Sequence, residues 1–124
     1  MKKLSSLWFV ILCLFAASCM HHGKNTSISY RESDTHYSMK AHFSKSKTKD
    51  VEKYLNTTIG KKSNVSFANT EIDGTLTLDD HTVIYVEKSN GVLNIKLDKD
   101  ENTEEAYEAI KLLCEGLKEV VTST

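Results

Sequence analysis

The chain has 124 residues, 40% hydrophobic and 27% charged, with a net charge of −1. That is enough for one domain of ordinary globular composition and no more. The absence of proline excludes a proline-rich spacer or a ligand for proline-binding domains, and the charge balance excludes a nucleic-acid binder of the usual basic kind.

Lys2 and Lys3 precede an almost purely apolar run from Leu7 to Ala17, which closes on the small residues Ala16, Ala17 and Ser18. Crossing a bilayer takes about 20 apolar residues. This run is shorter, and its order of charge, apolar stretch and small residues is that of a secretory signal. The sequence Ala16-Ala17-Ser18-Cys19 resembles the lipobox of bacterial membrane lipoproteins, over residues 1–19 only. The resemblance implies that residues 1–18 are removed and that Cys19 becomes the lipidated first residue, carrying palmitate-type acyl chains. By the same resemblance Met20, where an Asp would hold such a protein at an inner membrane, implies the outer membrane in a double-membrane cell; a single-membrane cell would carry the protein on the outer face of its membrane. Each buried methylene adds about 0.8 kcal/mol to such an anchor.

Without residues 1–18 the basic residues fall to 14 against 17 acidic, a net charge of −3. Of the three cysteines, Cys13 leaves with the signal and Cys19 is taken by lipid. Cys114 is then alone, so no intramolecular disulfide forms and the domain relies on its core. Residues 19–34 are expected to be the lipidated Cys and a flexible tether reaching about 50 Å at about 3.3 Å per residue, with Ile28 and Tyr30 able to begin a strand. Residues 35–124 are expected to form the single domain.

Within it, Tyr37, Met39, Ala41 and Phe43 alternate with His36, Ser38, Lys40 and His42, the pattern of a half-buried strand. Thr48 to Ile59 reads as a helix with Thr48 as N-cap, Val51, Tyr54, Leu55 and Ile59 as its stripe, and Gly60 as its stop. The basic residues between Lys40 and Lys62 are interleaved with Asp50 and Glu52, a solvated helix face. Val65 to Ala68 is expected as a short strand. Ile72 to Leu78 alternates cleanly, Asp79-Asp80-His81 is a turn, and Thr82 to Lys88 and Val92 to Leu97 are strands joined by the Asn90-Gly91 hairpin signal. A two-residue loop there sets Ser89 opposite Val92, Val86 opposite Ile95 and Ile84 opposite Leu97; a three-residue loop at Asp79 to His81 sets Leu76 opposite Ile84. One apolar face then runs through three strands, which a one-residue slip would scatter. The last helix starts from Asn102 as N-cap with Glu105 three residues on. Ala106, Ile110, Leu113, Cys114, Leu117, Val120 and Val121 form its stripe, and Glu104, Glu108, Lys111, Glu115 and Lys118 its wet side. The implied fold class is α+β: a small two-layer domain, an antiparallel sheet of four to five strands with two helices on one face, the last helix C-terminal. Val83, Tyr85, Asn94, Lys96, Thr75 and Thr77 are left on the outer face.

Few positions suggest chemistry. Asp98 to Asn102 begins like a calcium loop, but the places needing Gly and a bidentate Glu hold Thr103 and Ala109. His21 and His22 adjoin on the tether, and His36 and His42 share a strand face about 20 Å apart, too far to chelate one ion. Cys114, on an apolar stripe, reads as a buried small hydrophobe; as a nucleophile it would need a histidine, with His81 the turn-borne candidate. Asn25, Asn56 and Asn64 match the glycosylation acceptor pattern, by chance if the signal is bacterial as its resemblance implies. No hydrolase elbow, zinc-protease, redox-dithiol or phosphate-loop motif occurs.

The expectation is therefore a lipid-anchored cell-envelope protein, outer membrane favoured, that is not an enzyme, takes no cofactor or metal and binds no nucleic acid. It would serve as a binding module for another envelope protein or peptide through its sheet face or an edge strand. The alternatives are a small-ligand or metal-binding lipoprotein using histidines, and a thiol-dependent hydrolase using Cys114.

Overall fold

The computed structural model describes residues 26–123. The signal and lipobox residues, Cys19 included, lie outside them, as do His21, His22 and Asn25. The elements in chain order are β1 (Ser27–Glu32), β2 (His36–His42), α1 (Thr48–Leu55), β3 (Ile72–Thr77), β4 (Val83–Ser89), β5 (Val92–Asp98) and α2 (Glu104–Thr122). The five strands form one sheet in the order β1-β2-β5-β4-β3, every neighbouring pair antiparallel. Both helices cover its inner face, so the domain is the two-layer α+β unit that the patterning implies.

The register follows from alternation and turn chemistry. Ser89 faces Val92 and Val86 faces Ile95 across the hairpin, and Leu76 faces Ile84 across the next one. Gly91 takes φ +77°, which L side chains rarely adopt, and a Cβ on it would stand 2.9 Å from the Phe43 carbonyl oxygen. His81 supplies the left-handed residue of the Asp79–His81 turn, at φ 69°. Inward residues of β2, β4 and β5 are shielded almost completely: Tyr37, Met39, Ala41, Ile84, Val86, Leu93, Ile95 and Leu97. Each large apolar side chain so buried contributes about 1.5–3 kcal/mol. The helices close this face with Val51, Leu55 and Ile59 from the first helical segment, and Tyr107, Ile110, Cys114, Leu117 and Val121 from α2.

Five local expectations need correction. Ser27–Glu32, placed in the tether, pairs with β2 along its whole length, so the folded part starts before residue 35. Ile28, Tyr30 and Glu32 share the inner side with Ala41, Met39 and Tyr37, and that apolar pair is what recruits the strand. Thr48 does not cap α1. Ser44 caps a preceding 3-10 turn, Lys45–Lys47, and Thr48 Oγ1 accepts from the Gly91 N–H at 3.3 Å, fastening helix to hairpin. Gly60 does not stop the helix. Beyond Leu55 the chain widens into a π-helical turn, Asn56–Gly60, and one further turn that ends at Asn64, with φ 59°. A Cβ on Gly60 would lie 3.1 Å from the Val65 carbonyl oxygen, so the missing side chain admits the returning backbone. Val65 to Ala68 is consequently no strand but an irregular loop that turns at Ala68 and Asn69; the Phe67 N–H on Asn56 Oδ1 at 2.7 Å holds it, and it delivers Phe67 to the core.

The fifth concerns α2. Its N-cap is Thr103, whose Oγ1 accepts from the Ala106 N–H at 3.0 Å. Asn102 acts as a clamp instead. Its side chain accepts from the Val83 N–H at 2.8 Å and donates to the Val83 and Asp98 carbonyls, filling the backbone positions where the β4–β5 ladder stops.

Candidate functional site

With both helices on one side, the outer face of the sheet carries no other element among the described residues. Its side chains stand in rows across the strands. One row runs Arg31, Ser38, Lys96, Tyr85, Thr75; the next runs Ser29, Lys40, Asn94, Glu87, Asp73. Ser29 and Ser38 are short, and around them stand Arg31, Lys40 and Lys96. Adjacent strands lie about 4.8 Å apart, so Arg31 and Lys96 flank Ser38 across about 10 Å. The result is a shallow open depression of about 590 Å³. None of its three cations is in an ion pair among the described residues. Lys96 Nζ lies 5.6 Å from the centre of the Tyr85 ring, a contact that orients it without neutralising it.

The other half of the face carries two acids, Glu87 and Asp73, each accepting a hydrogen bond. Glu87 accepts from Asn94 Nδ2 at 2.6 Å. The Tyr85 hydroxyl donates to Asp73, and that bond holds the phenol's pKa up, at about 12. Asn94 Oδ1 is shielded from water and has no donor among the described residues.

A second feature was not anticipated from sequence. Lys88 continues the inward side of β4 after Ile84 and Val86 and is buried. Its Nζ meets Glu52 Oε2 at 2.5 Å and the Phe67 carbonyl at 2.6 Å, and the Asn69 N–H adds a 3.2 Å bond to the same carboxylate oxygen. Glu52 is thus no solvated helix charge, contrary to expectation. Burial pushes its carboxyl up, but the bonds from Lys88 and Asn69 and the charges of Lys88 and Lys49 outweigh burial and hold it below the ordinary carboxylate value. The pair floors a polar cleft of about 370 Å³ whose mouth carries Lys45, Lys49 and Glu71. The alternation Ile84, Val86, Lys88 and the helical spacing of Thr48, Glu52 and Leu55 were the signals available for it.

A third cluster joins β1 to α2. Glu32 binds Lys99 at 2.8 Å, takes the Tyr107 hydroxyl and lies 3.9 Å from Lys111. The hydrogen bonds from Lys99 and Tyr107 hold its carboxyl below the usual range.

The residues singled out from sequence are dispersed. His36 sits at a strand end, 3.8 Å from Asp98 and bonded to Thr35 Oγ1 at 2.8 Å. His42 is exposed on the outer face, and His81 occupies its turn. Among the described residues no three His, Cys, Asp or Glu side chains converge as a metal site requires. In the Asp98 to Asn102 segment, Asp98 Oδ1 caps the turn Lys99–Glu101 by accepting from the Asp100 N–H, and Asn102 is the clamp described above. Cys114 is shielded completely beside Tyr37; burial pushes its thiol up to about 12. A nucleophilic thiol needs the opposite shift.

Compared with protein-family models, curated proteins and solved structures, the chain matches none of them.

Proposed function

We propose that this protein is a non-enzymatic interaction module held at the cell envelope, at the outer membrane in a double-membrane cell, by lipid on Cys19, and that the outer sheet face is where its partner, another envelope protein or peptide, docks. One observation carries the docking face: a five-stranded sheet that, among the described residues, is covered on one side only and presents on its open side three cations without an ion-pair partner around a serine-floored depression. The anchor rests on the order of Lys2, Lys3, the Leu7 to Ala17 run and Cys19. A thiol hydrolase draws no support from a buried Cys114 whose pKa is raised, and that favours binding over catalysis.

Two measurements test the halves separately. Mass spectrometry of the native protein should find diacylglyceryl on Cys19; a free thiol there, on protein released from membranes, would refute the anchor. A photocrosslinking residue in place of Ser38 or Thr75 on the outer face should capture one specific envelope protein. The same probe in place of Glu108, on the wet side of α2, should not. Equal capture from both sides would refute the docking face.

A further inference from the structure

We propose that the depression around Ser29 and Ser38 is a binding site for an acidic peptide segment, with Arg31, Lys40 and Lys96 taking its carboxylates. This rests on the outer face being the docking face and adds the chemistry of what docks.

The three cations lie on three adjacent strands, β1, β2 and β5, in neighbouring rows of one face. Among the described residues the one acid lining the depression is Glu87, and Asn94 already donates to it. The depression is therefore a cationic patch on a chain whose net charge is negative, which charge complementarity would match with an anionic partner. Carboxylate-bearing peptide is favoured over a phosphate-bearing membrane surface by the charge around the patch. Glu87 stands at the rim of the depression, and the same face carries Asp73 next to it and Asp98 beyond it. Flat apposition to an anionic bilayer would press these against like charge, whereas a narrow segment along β1 and β2 avoids them.

The test uses the full chain in a nonionic detergent, titrated at low salt with fluorescein-labelled hexaglutamate, with hexalysine and glycerol 3-phosphate as the comparison probes. Binding of hexaglutamate is expected, with hexalysine at least tenfold weaker. The triple variant Arg31→Gln, Lys40→Gln, Lys96→Gln should weaken hexaglutamate binding at least tenfold, with an unchanged circular dichroism spectrum. Asp73→Asn with Glu87→Gln should strengthen it two- to fivefold. Three results would overturn the assignment: no hexaglutamate binding, binding indifferent to the triple variant, or glycerol 3-phosphate binding as tightly as the peptide. If crosslinks from the outer face still capture a partner in any of those cases, the docking face stands and only the acidic chemistry falls.

Discussion

At the scale of single residues, the Lys88–Glu52 pair shows most directly how charge is managed inside this domain. Removing one partner of a buried pair leaves a desolvated charge and costs about 3–5 kcal/mol, while replacing both with apolar groups of similar size is often neutral. Glu52 sits at the cleft floor with its side chain 9% exposed, so the cost belongs at the lower end. Lys88→Met should destabilise by about 3 kcal/mol at neutral pH, and the double variant Lys88→Met, Glu52→Leu by well under half of that. The pH dependence has a definite sign. The folded-state carboxyl of Glu52 is held below its ordinary value, so its contribution is present above the unfolded value of about 4.3 and is lost as pH falls through the folded one. In Lys88→Met the main opposition to burial is gone and the carboxyl rises, so acidification neutralises a charge the variant cannot stabilise. The stability gap between wild type and Lys88→Met should therefore narrow from pH 7 to pH 4. Urea melts at both pH values measure it, and a gap that widens on acidification would contradict the sign. Lys88 was legible in principle, as the third inward position of β4. It was missed because a lysine at the end of a strand is usually solvated and nothing local names its partner 36 positions away.

At the scale of elements, the strands β2 to β5 and their hairpins were readable, while the helix ends, the edge strand β1 and the loop at Val65 to Ala68 were not. A strand's inward side is set by a period of two that survives any small boundary error, and Asn90-Gly91 fixes the register of everything joined through it. Helix ends depend on which side chain reaches which backbone group. Asn102 and Thr103 are both good caps by residue type; tertiary contact with Val83 draws Asn102 away and leaves the cap to Thr103. The packing of the two helices has a comparable hidden determinant. Tyr54 donates to the Leu113 carbonyl at 2.7 Å, and a Cβ on Gly116 would stand 2.5 Å from that hydroxyl. Alanine in place of glycine inside a helix gains about 1 kcal/mol of propensity. Here the methyl displaces the tyrosine, forfeiting a hydrogen bond of about 1 kcal/mol together with its packing. Gly116→Ala should thus be neutral to destabilising by about 1 kcal/mol. In a Tyr54→Phe background, where no hydroxyl opposes the methyl, the same change should stabilise by about 0.5–1 kcal/mol. Thermal denaturation of the four proteins gives the coupling, and additivity would show that Tyr54 does not sense the glycine.

At the scale of the whole molecule, the first strand decides where the domain begins, and with it how close the domain sits to any anchor. With β1 starting at Ser27, lipid on Cys19 would leave residues 20–26 as the link, roughly 23 Å at about 3.3 Å per residue, less than half of what a tether to residue 34 allows. This boundary was hard to read because β1 is an edge strand whose residues are largely exposed, so its composition resembles that of a linker. Tertiary contacts nevertheless secure both ends of the strand. Ile28 packs on the core, the Tyr30 hydroxyl donates to the Cys114 carbonyl at 3.4 Å, and Glu32 holds Lys99, Tyr107 and Lys111. A chain starting at residue 35 would lose the partly buried Ile28 and the contact face of the more exposed Tyr30, worth about 1 kcal/mol each. It would also leave the edge of β2 unpaired beside the buried Met39 and Ala41, a geometry that templates association between chains. Residues 35–124 should therefore be at least about 2 kcal/mol less stable than residues 26–124 in urea melts, and should self-associate in sedimentation velocity at concentrations where the longer chain is monomeric. Equal stability and equal sedimentation of the two would place Ser27–Glu32 back in the tether and remove Arg31 from any site on the sheet.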